Sequence, residues 1–108
     1  MDIRDIQARL RQFAADREWE PYHTPKNLVM ALSGEVGELA DLFQWLTPEE
    51  SAAAMATPAL AGDVRDEIAD VALYLFRLAD VLGVDILAEA DAKITRNERR
   101  FPAGADPT

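Results

Sequence analysis

Four carboxylates carry most of the chemistry this sequence could do. Glu35 and Glu38 lie in Ser33-Gly34-Glu35-Val36-Gly37-Glu38-Leu39, and Glu67 and Asp70 lie in Asp66-Glu67-Ile68-Ala69-Asp70-Val71. Each pair has i, i+3 spacing, which on a helix points both acids the same way. At about 100° per residue, Leu28, Leu32, Leu39 and Leu42 fall within roughly 60° of Glu35. Val64, Val71, Tyr74, Leu78 and Leu82 gather around Glu67 in the same way. Both acid pairs therefore sit inside apolar stripes. An ionised carboxylate buried without a partner is very costly, and four converging acids repel one another and raise their pKa values. A divalent cation removes both problems. Hard cations such as Mg²⁺ take oxygen ligands and keep room for water and phosphate. A solvated acidic stripe is the alternative for one E-x-x-E alone; two pairs within apolar stripes favour a metal site.

Two further groups could serve a ligand. Lys93, Arg96, Asn97 and Arg100 have i, i+3, i+4, i+7 spacing and share one helix face. Such a face can grip phosphate oxygens, or it can simply complement the C-terminal end of its helix dipole. Trp19, Tyr22, His23, Trp45 and Tyr74 flank the acids in sequence or on the helix wheel. Flat side chains stack on a nucleobase, although core packing is the commoner role of Trp and Tyr. His23 is the single histidine. A ferritin-like di-iron bundle requires Glu-x-x-His on two helices; here both pairs end in an acid, so that chemistry is rejected.

The elements that must position these residues read as helical throughout. A first helix is expected from about Asp2 to Arg17, with Ile3, Ile6, Leu10 and Phe13 as its stripe. Trp19 to His23 form a linker. Thr24 reads as an N-cap with Pro25 at the first helical position, opening a second helix through Trp45. Its Gly34 and Gly37 are poor helix formers and suggest close approach of a neighbouring helix or ligand. Thr47 and Glu50 make a capping box for a short alanine-rich helix that Thr57-Pro58 interrupts. A long helix comes next, from about Leu60 to Leu82, stopped by Gly83. Asp85 caps a last long helix that ends near Phe101-Pro102. One domain, residues 1–102, is expected, with a fraying tail at 103–108.

Bulk composition narrows the function classes. With 108 residues the chain suffices for one core, and it contains no cysteine, which excludes disulfides, thiolate metal sites and cysteine nucleophiles. Twenty acids against eleven Lys plus Arg give a net charge of -9, which disfavours a nucleic-acid polymer as partner. A small anionic ligand held through a metal and a local cationic cluster remains compatible. No apolar run approaches a membrane span, and Met1 to Asp5 lacks the apolar region of a signal peptide. A soluble cytoplasmic protein with no membrane partner is expected.

E-x-x-E followed, after 28 intervening residues, by E-x-x-D resembles the signature of the all-α NTP pyrophosphatase superfamily, which includes MazG-like proteins. The stretches Phe13 to Glu20, Tyr22 to Leu28, Gly34 to Ala40, Leu42 to Trp45, Asp66 to Tyr74 and Lys93 to Pro102 look most like the dCTP pyrophosphatase branch. The resemblance spans about residues 3–102. It implies an all-α, four-helix-bundle-like protomer and Mg²⁺-dependent cleavage of a dNTP, dCTP or a modified dCTP preferred, to dNMP and pyrophosphate. Mn²⁺ is a possible substitute for Mg²⁺. By the same resemblance Glu35, Glu38, Glu67 and Asp70 are catalytic metal ligands. Trp19, His23, Trp45 and Tyr74 would form the base and sugar pocket. Lys93, Asn97 and Arg100 would contact phosphates, and the assembly would be a homotetramer built as a dimer of dimers. One departure is Leu10, where close relatives can place a histidine. A broader MazG-like NTP pyrophosphatase and a non-catalytic helical interaction module are the alternatives.

Overall fold

Side-chain caps set where four of the five α-helices of the computed structural model begin, and a proline sets the other. The structure describes residues 1–104. Asp2 accepts from the backbone N–H of Asp5 and opens α1, Ile3–Asp16. Thr24 accepts from Asn27 and opens α2, Pro25–Phe43, with Pro25 in the first turn. Thr47 and Glu50 form the expected capping box of the short α3, Pro48–Ala52. Pro58 starts α4, Pro58–Leu82, and Asp85 accepts from Ala88 to open α5, Ile86–Arg100. Single 3₁₀ turns at Glu20–Tyr22 and Ala54–Ala56 fill two of the connections. The all-α class expected from the sequence is what the chain adopts.

Two left-handed residues end helices, and both aim the segment after them. Gly83 (φ 70°) closes α4, with Val84 N–H donating to Ala79 O at 2.8 Å. Glu18 (φ 56°) plays the same part after α1, with Trp19 N–H donating to Ala14 O at 2.9 Å. Glycine is the usual occupant of such a position, so Glu18 carries a local conformational cost. The turn it makes fixes the direction in which Trp19 leaves the helix.

Three expectations need correction in detail. α2 ends at Phe43, two residues before Trp45, which lies in the following turn. α4 begins at Pro58 rather than Leu60, because proline suits a first turn. Gly34 and Gly37 face open space: a Cβ on either would meet nothing within 4 Å. The close approach expected there is not made within the protomer. The expected fraying tail covers 103–108; of this stretch, residues 105–108 lie outside the described residues.

The principal packing is α2 along α4, and α1 reaches the later part of α4, where Gln7 donates to Phe76 O and Arg11 to Asp80. α5 has no buried residue; its start is tethered to α1 by Arg4 and Asp85, 3.9 Å apart. The fully buried apolar side chains are few and mostly small: Ala14, Leu28, Ala54, Ala61, Val64 and Ala79. The radius of gyration is 16.9 Å, against about 13 Å for a compact chain of this length. Val29, Met30, Ile68, Leu82, Leu87 and Ile94 remain exposed on α2, α4 and α5. The protomer is thus open, with apolar faces uncovered. No helix among the described residues is long and apolar enough to cross a membrane.

Candidate functional site

The α2–α4 contact brings the two acid pairs face to face. Leu28, only 2% exposed, and the buried Val64 pack on the same helix faces as the acids. Glu35, Glu38 and Glu67 each place a carboxylate oxygen within 4.8 Å of the others. Glu35 and Glu67 are half-buried and Glu38 is exposed. Glu35 Oε2 and Glu67 Oε2 are buried and accept no hydrogen bond. Among the described residues none of the ion pairs reaches these acids. The repulsion shows in titration. The Glu67 pKa is pushed up from 4.5 to about 7, first because its protonated form donates to Glu35, then by burial and by the Glu38 and Glu35 charges.

Three hard oxygen donors, two of them orphaned, make a cluster that could bind a metal ion. Asp70 stands one turn further along α4, half-buried and outside the triple, on the wall of the neighbouring cleft. Of the four acids singled out in the sequence, three are gathered and the fourth joins the cluster to that cleft.

The cleft has a volume of about 570 Å³ and lies between α1, the Trp19–His23 connection and α4. Trp19, His23, Tyr74 and Asp70 line it, with Leu10, Phe13 and Arg77. The Phe13 and Trp19 rings meet edge to face at 5.6 Å, and Trp19 and His23 at 6.3 Å. Asn27 Nδ2 donates to Tyr22 O at 3.0 Å and pins the connection to the start of α2. An apolar, aromatic wall with a few polar groups is the usual construction of a small-molecule site.

Other sequence candidates lie elsewhere in the protomer. Trp45 is 85% exposed and lines no part of the cleft, so it is neither core nor a wall of this protomer's cleft. Lys93, Asn97 and Arg100 lie on α5 and are absent from the cleft wall. Met1, Arg9, Leu73 and Arg77 also line it and were not among the sequence candidates; the telling one is Arg77, the buried charged side chain of the described core, 9% exposed. It lies seven residues after Asp70 and so shares its helix face. A lone cation in that apolar stripe was the available signal.

A family model described as MazG-like matches residues 30–106, from before the first acid pair to beyond α5. The chain belongs to the MazG-like family. It is 43% identical over 101 residues to dCTP pyrophosphatase 1 of Homo sapiens, covering 94% of this chain and 59% of that protein. It is 41% identical over 100 residues to dCTP pyrophosphatase 1 of Bos taurus, covering 93% of this chain and 59% of that protein. The chain therefore spans about 59% of the length of these curated relatives. The crystal structure of a pyrophosphatase from Archaeoglobus fulgidus superposes with a TM-score of 0.85 at 38% identity, covering 92% of this chain and 91% of that one. The MazG-like assignment accounts for the all-α fold.

The raised pKa makes a stability prediction. The folded state favours protonated Glu67, so its contribution is complete below pH 4.5 and is lost as pH rises through about 7. His23, whose pKa is lowered by burial and by Arg77, pulls the other way. The difference between wild type and Glu67→Gln isolates the acid. In EDTA, Glu67→Gln should gain Tm relative to wild type across that window, and millimolar Mg²⁺ should narrow the gap by stabilising wild type alone.

Proposed function

We propose that this chain is a Mg²⁺-dependent nucleoside triphosphate pyrophosphohydrolase that converts a dNTP and water to dNMP and pyrophosphate. dCTP or a modified dCTP is the preferred substrate, and the role is nucleotide-pool sanitation in the cytoplasm. The observation that carries this reading is the carboxylate triple with two buried, unpartnered oxygens beside an aromatic cleft. The names of the human and bovine relatives support the substrate class.

Glu35, Glu38 and Glu67, with Asp70 at the edge of the cluster, would hold the cation. What Mg²⁺, or Mn²⁺ in its place, supplies is neutralised phosphate oxygens and a more acidic water. The chain's residues do the rest. Trp19 and Tyr74 offer faces to the base, with His23 beside them. A carboxylate of the cluster takes the proton of the attacking water, the water oxygen bonds to phosphorus, and pyrophosphate leaves. The acids are coupled, so the proton belongs to the group rather than to one residue. A solvated interaction module is disfavoured, since its acids would not bury bare oxygens. A broader nucleotide range has one observation in its favour: Leu10, in the cleft wall, offers a base no hydrogen bond.

The working unit is the domain of residues 1–102, assembled as a homotetramer, a dimer of dimers. The open protomer and its uncovered apolar faces support an oligomer. In that assembly Trp45, Lys93, Asn97 and Arg100 would serve a neighbouring subunit's site, which accounts for their distance from the cleft of their own.

Four measurements test this. Glu38→Gln and Glu67→Gln should abolish Mg²⁺-dependent pyrophosphate release while circular dichroism reports an intact fold; turnover retained in both would discard the site. Trp19→Ala should raise KM for the preferred nucleotide about tenfold, from stacking worth roughly 1–3 kcal/mol, with a smaller fall in kcat. Trp45→Ala should do the same if it closes a neighbour's cleft, and its Tm should fall by less than a core truncation demands. Light scattering at micromolar concentration should report a tetramer, and a monomer would remove the shared-site assignment of α5.

A further inference from the structure

Arg77 is buried, yet the metal cluster and the stacking residues have no evident use for it. Its Nε donates to His23 Nδ1 at 3.1 Å. Its Nη1 lies 3.6 Å from Asp80 Oδ2. Asp80 is held in turn by Arg11, whose Nη1 reaches both carboxylate oxygens at 2.8 Å. A chain of charges thus runs from α1 through Asp80 and Arg77 to His23.

The polarity of the Arg77–His23 bond is forced. A guanidinium stays protonated and has donors only. Nδ1 must therefore be the acceptor, and a neutral imidazole that accepts at Nδ1 carries its proton on Nε2. Burial and the Arg77 charge also hold the ring neutral, since both lower its pKa. With Nδ1 engaged, the polar group His23 has left for the cleft it lines is Nε2–H, a donor.

We propose that Arg77, braced by Asp80, is a positioning residue that locks His23 as its Nε2–H tautomer, so that the cleft selects a nucleobase presenting a hydrogen-bond acceptor to it. This rests on the nucleotide-binding reading above. Cytosine carries an acceptor at N3 where uracil and thymine carry a donor; O2 is an acceptor in all three, so the selection is made where Nε2–H meets N3. A tautomer free to exchange would offer either polarity and discriminate less. The polar edge of the base is thereby read by His23, with Arg77 acting through it.

His23 is the single histidine, so one ¹⁵N-labelled imidazole reports the tautomer without assignment. The spectrum of the full chain without nucleotide at neutral pH should show a neutral ring protonated at Nε2. Arg77→Met should lose that bias and raise KM for dCTP about fivefold, one hydrogen bond's worth, with kcat changed less than twofold. In a His23→Phe background Arg77→Met should raise KM no further, because the lock has nothing left to hold. A wild-type ring protonated at Nδ1, or an imidazolium, overturns the proposal, as does an additive effect of Arg77→Met in that background. Should Arg77→Met fail to fold, the wild-type spectrum and Asp80→Asn, which should loosen the tautomer bias, decide it. If wild type releases pyrophosphate from no nucleotide, the functional reading fails and base selection goes with it, whatever tautomer the spectrum shows.

Discussion

Everything in the site depends on one conflict: the apolar packing that joins α2 to α4 also joins three carboxylates. Leu28, Ala61 and Val64 draw the two helix faces together, and Glu35, Glu38 and Glu67 come with them. Water is excluded from two of their oxygens. The carboxylates meet at the main helix contact of the protomer and relax by taking up a proton: a hydrogen bond to Glu35, then burial, then the Glu38 and Glu35 charges push the Glu67 pKa up to about 7. A divalent cation offers the larger relief. The repulsion is thus a standing source of affinity for a small hard cation, placed where the two longest helices keep it rigid.

A second tension is size. The residues buried most completely are largely alanines, which let helices approach closely but bury little apolar area each. Larger apolar side chains face outward along α2, α4 and α5. Such a protomer is under-covered on its own, and Trp45, in the turn after α2, is exposed as well. In the proposed assembly, covering this surface and bringing Trp45 and the cations of α5 to another copy's cleft would be one event.

Much of this was legible from residue types. Thr24-Pro25, Thr47 with Glu50, Gly83 and Asp85 announced helix ends because capping is local chemistry, decided within four residues. The acid pairs stood out because carboxylates in an apolar stripe break a local rule. What escaped depends on tertiary placement. Periodicity could not tell that α2 stops two residues before Trp45, nor that Gly34 and Gly37 meet no neighbour in the protomer. Asp70 shares the i, i+3 rhythm with Glu67, but a helix turn moves it from the cluster to the cleft wall. Arg77 is inconspicuous in the sequence because a single arginine on a helix is ordinary until its burial and its histidine are known.

The arrangement along α4 explains why these functions share one helix. Glu67, Asp70, Tyr74 and Arg77 occupy one face in order: the acid cluster, the junction with the cleft, an aromatic ring of the cleft wall and the partner of His23. From Glu67 to Arg77 the helix rises roughly 15 Å at 1.5 Å per residue, and neither glycine nor proline interrupts that stretch. A flexible joint there would let the phosphate end and the base end of a ligand be satisfied separately. For the proposed nucleotide an unbroken helix would make them depend on one another: a base held against the aromatic wall would fix how far its phosphates reach toward the carboxylates. Under the proposed function, selectivity at the base would bear on cleavage at the phosphate without any moving part, because the backbone of α4 sets the distance between the cleft and the carboxylates.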